Sequence, residues 1–462
     1  MKKNFRNSAI LKGDKKVIRG WVMYDWANSV YQLTIASAIF PIYYNQVTKR
    51  GPDDFNVSFF GHDIINTVLY SWAIATAYLI VAGLTPLLSS LADYTGRRKS
   101  FMQFFTWLGA LSCGALFFFD ADHIELGVIA FALGTIGYGG SIVYYNSFLP
   151  VIVDEKDQDK VSARGYSMGY LGGVVLLLFN LVMILKPGLF GISEGALPAK
   201  ISFVTVFLWW IGFSQITFRR LPRYTFRKRR KDKETNILFE GYRELNRVFQ
   251  QVIKSRRLTF YLIGFFFVMM GLLTTMFMAA TYGEKQIGLK DDVLIPTILV
   301  IQLVGMGGAW FFSRLSARIG NLKALIVSVG IWVLICTGAS AIINATQFIV
   351  AAFFIGIVMG GTQALARSTY SKMIPQTSTE HTSYFSFYDV MEKLATVLGT
   401  FSFGLIEAIT GSMRYSVAAI AIFFILGIIF LGITLYVEIQ GQKSEGKIIK
   451  PKSKWLWIPG SH

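Results

Sequence analysis

The chain has 462 residues, of which 53% are hydrophobic and only 16% charged, with a mean hydropathy of +0.49 and a formal net charge of +18. Soluble proteins carry about 25% charged residues, so this composition excludes an ordinary soluble enzyme, and the placement of the cations described below excludes the nucleic-acid binder that such a charge would otherwise suggest. Cys113 and Cys336 both fall inside apolar runs and the histidines are scattered, which leaves neither a disulfide framework nor a metal-ligand cluster.

Runs long enough to cross about 30 Å of hydrocarbon as helices recur along the chain. The spans are 21–47, 65–90, 100–119, 124–153, 163–185, 201–218, 258–282, 293–312, 324–343, 347–366, 383–408 and 415–438. They are continuously apolar rather than alternating, which excludes a β-barrel. The fold class expected is an all-α membrane protein with twelve transmembrane helices in two six-helix bundles. Its parts are an N-terminal segment 1–20, a first bundle 21–218, a basic central loop 219–257, a second bundle 258–440 and a basic tail 441–462. The N-terminal run is too long for a cleavable signal peptide and contains Asp25.

Span one reads Gly20-Trp21-Val22-Met23-Tyr24-Asp25-Trp26-Ala27-Asn28-Ser29. Asp25, Asn28 and Gln32 stand at i, i+3 and i+7 and share one helix face. An ionisable group inside hydrocarbon is costly and faces a bundle interior or water. Asp25 is therefore either a cavity group that binds a cation, a proton or an amine, or a structural tie between helices.

The loop after span two reads Leu91-Ala92-Asp93-Tyr94-Thr95-Gly96-Arg97-Arg98-Lys99. An acid, a glycine and three cations between two membrane-length runs resemble the signature loop of major facilitator superfamily transporters, G-x-x-x-D-x-x-G-R-R-x. Asp93, Gly96, Arg97 and Arg98 stand at its matching positions, and Ser89 replaces its first glycine. The mechanical reading is a clamp that holds one access state and breaks in the other. In it, Asp93 caps a neighbouring helix or pairs with an arginine, and Arg97 and Arg98 hold acids such as Asp154 or Glu155.

Span four has a polar, kinkable end with Tyr144, Tyr145, Asn146 and Pro150. Asn180, Gln302 and Gln363 line a cavity or bond a neighbouring helix. In the central loop, Arg227 to Lys231 is a topology determinant or an anionic-lipid site. Residues 237–257 pattern as an amphipathic helix along the membrane, with Ile237, Leu238, Leu245, Val248, Phe249 and Val252 on its apolar face. The tail from Lys450 to Trp457 repeats the basic and aromatic theme.

The loop after span eight, Ser313-Arg314-Leu315-Ser316-Ala317-Arg318-Ile319-Gly320-Asn321-Leu322-Lys323, looks like a decayed copy of 89–99. It keeps the cations Arg314 and Arg318 and the glycine Gly320 but lacks the aspartate. Related loops after spans two and eight are what two related bundles would carry. Span eleven holds Tyr384, Tyr388, Asp389, Glu392 and Lys393, with Asp389 and Lys393 in the acid-first i, i+4 order of an ion pair. One cation cannot cancel both acids, which suits either a proton carrier or a locked ion-pair network.

With the N-terminus in the cytoplasm, nearly every cytoplasmic loop carries an excess of Lys and Arg. The other side holds only Lys49, Arg50, Lys186, Lys200, Lys285, Lys290 and Arg414. This follows the positive-inside rule and places both termini in the cytoplasm.

Three further segments together resemble one branch of the superfamily, the family of fungal vacuolar amino-acid effluxers and their bacterial relatives. They are Tyr24 to Ser29, Ala366-Arg367-Ser368-Thr369-Tyr370-Ser371-Lys372-Met373-Ile374-Pro375, and Glu380 followed by Phe385-Ser386-Phe387-Tyr388 and Lys393. Ser386 and Glu392 stand where the family has glycines. The resemblance implies transport of small solutes, amino acids among them.

The expectation is a secondary transporter of the cytoplasmic membrane that works by alternating access. It has no cofactor, since the chain lacks a phosphate-binding loop. Its partners are a small-molecule substrate, protons as coupling ion, and anionic lipids at the basic loops, with no nucleic acid. The alternatives are a membrane scaffold or sensor with a transporter fold, and a membrane enzyme. The enzyme lacks a catalytic cluster, because His62 and His123 fall in different outer loops.

Overall fold

A computed structural model describes residues 12–48, 56–223, 237–289, 291–375 and 378–444. The basic run Arg227 to Lys231 and the tail from Lys450 to Trp457 lie outside these residues. The chain is almost wholly helical. The first crossing is segmented: α1 (Lys15–Val30) runs into a π-helical stretch, Tyr31–Ile39, and then α2 (Phe40–Thr48). A short hairpin, β1 (Asn56–Phe59) and β2 (His62–Ile65), leads to α3 (Asn66–Thr95) and α4 (Arg98–Ala115). The first half continues through α5 (Ile124–Ser147), α6 (Leu149–Ile152), α7 (Gln158–Leu185) and α8 (Leu197–Arg220). A connecting helix, α9 (Ile237–Lys254), precedes the second half. That half comprises α10 (Arg256–Ile287), α11 (Asp291–Ile319), α12 (Asn321–Ala339), α13 (Ala345–Met373), α14 (His381–Thr410) and α15 (Met413–Ser444).

Among the described residues, 11 helices are long and apolar enough to cross a membrane. The segmented path from Lys15 to Thr48 makes the twelfth crossing, so each half has six. An even number of crossings puts the described ends of the chain on one face, here called the termini face. The observed helices overrun the hydropathic spans, α13 reaching Met373 and α11 reaching Ile319. Hydropathy marks only the hydrocarbon depth, whereas backbone hydrogen bonding carries a helix on into the headgroup zone.

Local chemistry sets the ends. Asp14 caps α1 by accepting from Lys16 N at 2.7 Å, and Asn344 caps α13 by accepting from Gln347 N at 2.9 Å. Gly96 ends α3 at φ 69° and Gly320 precedes α12 at φ 91°. These two glycines are the matching positions of the repeated loop, and both use a backbone region that a side chain disfavours. Each half buries its own apolar cluster, one around Phe40, Phe131, Phe203 and Trp210, the other around Phe265, Trp332, Phe424 and Leu431. The helices at equivalent places in the halves, α5 and α13, are the most enclosed, with 61% of an 18-residue apolar stretch buried in each of these two crossings.

The amphipathic helix α9 forms, but its apolar face turns to protein rather than to lipid at two expected positions. Val248 and Val252 are buried, Gln251 accepts from the Tyr384 hydroxyl at 2.7 Å, and Arg247 lies 3.5 Å from Glu380. Phe249 stacks on Phe387 at 5.8 Å.

Candidate functional site

Between the two halves, α13 sends one charged side chain in among α1, α5 and α7. The Arg367 guanidinium approaches Asp25 Oδ2 at 3.3 Å through both terminal nitrogens. Its Nε donates to Ser162 Oγ at 2.9 Å, and Nη2 also donates to the Ser162 carbonyl at 2.8 Å. Nη1 reaches Asn146 Oδ1 at 3.4 Å, and the Tyr145 hydroxyl donates to Asp25 Oδ2 at 2.6 Å. The ring of Tyr166 lies under the guanidinium at 4.1 Å, with Trp21 at 4.9 Å. All of these partners belong to the first half. Arg367 is 2% exposed and Asp25 5%, so each ion is compensated by the other and by planar donors and faces that suit a guanidinium. The site requires glycine in α7: a Cβ on Gly165 would collide with the Asp25 carboxylate and crowd Arg367.

Sequence reasoning places Arg367 in a loop beyond span ten. The helix instead continues past it and buries it, and the one signal of its importance is its place in the Ala366 to Pro375 segment. Of the expected face, Asp25 joins this centre. Asn28 is buried, with its Nδ2 lacking a partner among the described residues. Gln32 lies beyond the onset of the π-helical stretch at Tyr31, where the wider turn breaks the i, i+7 alignment that a 3.6-residue period predicts.

The second cluster sits on α14. Lys393 Nζ is 3.1 Å from Asp389 Oδ1 and 3.2 Å from Glu392 Oε1. Tyr78 of α3 presents its ring 5.7 Å from the ammonium, and Gly139 of α5 lies against the lysine stem. Asp389 Oδ2 has no hydrogen-bond partner among the described residues. The Glu392 side chain is the most open of the three at 28% exposure. Tyr388 is packed inside its own half, stacked on Phe265 at 4.0 Å. Gln363 accepts from the Tyr170 hydroxyl of the opposite half at 2.5 Å. Asn180 instead accepts from Thr205 on the adjacent α8, a contact within one half.

Asp93 caps the second half's α14. Its carboxylate accepts from Ser383 N at 2.7 Å, Ser383 Oγ at 2.9 Å and Thr382 N at 3.3 Å. A carboxylate at a helix N-terminus satisfies free amides and the positive end of the helix dipole. Arg98 holds Asp93 at 2.7 Å and donates to the Thr379 carbonyl. Asp154 and Glu155 are therefore not the anions of this arginine, and Arg97 is exposed at the start of α4. Gly96 supplies the turn between them.

The related loop after α11 works differently. Arg314 lies over the ring of Trp310 in its own helix at 3.4 Å, and Arg318 is exposed. Ser316 and Asn321 make the crossing instead. Both donate to Asp159 of α7, and Lys372 of α13 lies 2.8 Å from the same carboxylate. The acid missing from the second loop is thus supplied by the opposite half. Ser162 to Ala364, Ser167 to Met306 and Thr382 to Ser147 add further hydrogen bonds between the halves. Apart from Ser167 to Met306, which lies near the middle of α11, these bridges lie in the parts of their helices nearest the termini face and hold the halves together there.

The family described as vacuole effluxer Atg22 like matches residues 13–445. The MFS-type transporter YxiO of Bacillus subtilis is 28% identical, over 91% of this chain and 95% of its own length. Autophagy-related protein 22 of Kluyveromyces lactis is 22% identical, over 96% of this chain and 97% of its own. Among solved structures, the major facilitator transporter FucP in its outward conformation superposes with a TM-score of 0.67 at 13% identity, over 91% of this chain and 98% of its own. A bacterial homologue of the iron transporter ferroportin in an outward-facing state superposes at 0.63 with 10% identity, over 91% and 98%.

Proposed function

The chain belongs to the Atg22-like vacuole effluxer family of major facilitator transporters, and we propose on that footing that it moves a small solute of amino-acid size across the cytoplasmic membrane by alternating access, coupled to protons. The observation that carries this reading is the buried Arg367–Asp25 pair, whose two ions belong to opposite halves. A bridge of this kind is a two-state element: it is made when the termini face is closed and must break when the halves rock apart. The locks at Asp93 and Asp159 support the same motion. The positive-inside bias of the loops supports placing the termini face in the cytoplasm, which makes the described state the one held shut on the cytoplasmic side.

The substrate space we assign lies between Arg367 with Asp25 on one side and Glu392 with Lys393 on the other, with Tyr166 and Gln363 nearby. The α14 cluster brings two acids to one lysine, leaving a negative charge that a proton can neutralise. Protons are therefore the coupling ion proposed, and Glu392, the more open acid, the residue that carries them.

The test is solute uptake into liposomes, screened over an amino-acid panel with and without an imposed pH gradient. Uptake driven by the gradient, and uncoupled from it in Glu392→Gln, is expected. Uptake that ignores the gradient in both proteins rejects proton coupling. A folded protein that moves none of the panel returns the scaffold reading.

A further inference from the structure

In the second half, a groove of about 580 Å³ runs between α12 and α13. Leu334, Val350 and Phe354 form its exposed apolar walls, and Thr346 and Gln347 mark one end. Both helices are membrane-crossing by length and hydropathy, so the groove opens toward acyl chains. Because α12 starts at the termini face, its end at Ala339 lies at the opposite face, and the groove belongs to that leaflet.

A cation stands at that end. Arg414, in the first turn of α15, donates from Nη1 to the Ser340 carbonyl at 2.7 Å. Ala339 and Ala341, on either side of Ser340, both line the groove. Among the described residues no carboxylate pairs with Arg414. An arginine at interfacial depth without a protein anion is suited to a phosphate. The protein leaves room at the groove wall: a Cβ on Gly338, which lines it, would meet no protein atom within 4 Å.

We propose that this groove holds one membrane phospholipid, with an acyl chain between α12 and α13 and its phosphate on Arg414. Apolar walls ending at an uncompensated cation reproduce the two chemistries of that one molecule. Free phosphate would use only Arg414, and a detergent or apolar solute only the groove.

The test is native mass spectrometry of the full chain in mild detergent with added dioleoylphosphatidylglycerol. One retained lipid is expected for the unaltered chain, with occupancy about tenfold lower in Gly338→Trp, which fills the groove, and in Arg414→Gln, which removes the charge-assisted contact. Thermal melting identifies the folded variants, and Gly338→Trp decides alone if Arg414→Gln does not fold. Equal occupancy in the unaltered chain and Gly338→Trp overturns the proposal. Loss in Gly338→Trp but not in a folded Arg414→Gln overturns the phospholipid assignment and leaves an apolar site.

Discussion

Arg367 and Asp25 lie in different halves of the molecule, yet their charged groups approach to 3.3 Å with both side chains shut away from solvent. Neither half can bury its own ion without the other. The pair therefore reports the relative position of the halves in a way that packing within either bundle does not.

Removing one partner should be worse than removing both. Arg367→Met strands a carboxylate among Trp21, Tyr145 and Tyr166, and breaking a buried pair from one side costs about 3–5 kcal/mol. We expect a clear drop in melting temperature for Arg367→Met and for Asp25→Leu, with partial recovery in the double variant. Four melting curves in detergent check this. Additive losses would mean that the two residues act separately.

Asp93→Asn should loosen the closed termini face. It weakens charge-assisted hydrogen bonds to Arg98 and to the α14 N-terminus, worth roughly 1–3 kcal/mol together. The Ser147 hydroxyl meets Thr382 across the halves, so a cysteine introduced at Ser147 serves as a probe. Its alkylation should speed up by about fivefold or more in Asp93→Asn, given that energy range. An unchanged rate would falsify the clamp role of Asp93.

The Asp159 lock should respond in a graded way. Lys372→Met leaves Asp159 still bonded to Ser316 and Asn321, whereas Asp159→Ala removes every contact at once. Alkylation of the same cysteine should therefore rise more in Asp159→Ala than in Lys372→Met. Asp93 and Asp159 share none of the partners named here, so combining their substitutions should add to within about 0.5 kcal/mol.

Gly165 gives a steric test with an internal control. Gly165→Ala places a methyl against Asp25 and Arg367, whereas Gly83→Ala in α3 meets nothing within 4 Å. Both changes raise helix propensity by up to about 1 kcal/mol. Gly83→Ala should leave transport unchanged, and Gly165→Ala should lower it although its backbone gain is the same. Comparable uptake by the two variants would show that the Asp25 centre tolerates displacement.

The crossings are legible in the residues alone because a bilayer imposes one requirement along the chain, a run of apolar residues long enough to bury every backbone polar group in a helix. The repeated loop is legible for a related reason: Gly96 and Gly320 both occupy positive φ, a local backbone demand that survives after the side chains around it have diverged. The ion pair of Asp389 and Lys393 is readable too, since i, i+4 on one helix brings them together without help from any other element.

Spans, caps, turn glycines and the charge cluster of α14 all depend on short separations, and for that reason the linear order of residues is enough to specify them. Which charges meet across the halves is a matter of tertiary structure. The fold moves Arg367 from an expected loop into a buried centre, sets Asp93 on the N-terminus of α14, and fills the acid missing from the second loop with Asp159. Those contacts join residues 342, 290 and 157 positions apart, and no periodicity links them. Their partners are chosen by how the two halves dock, which is also the relationship that transport must change.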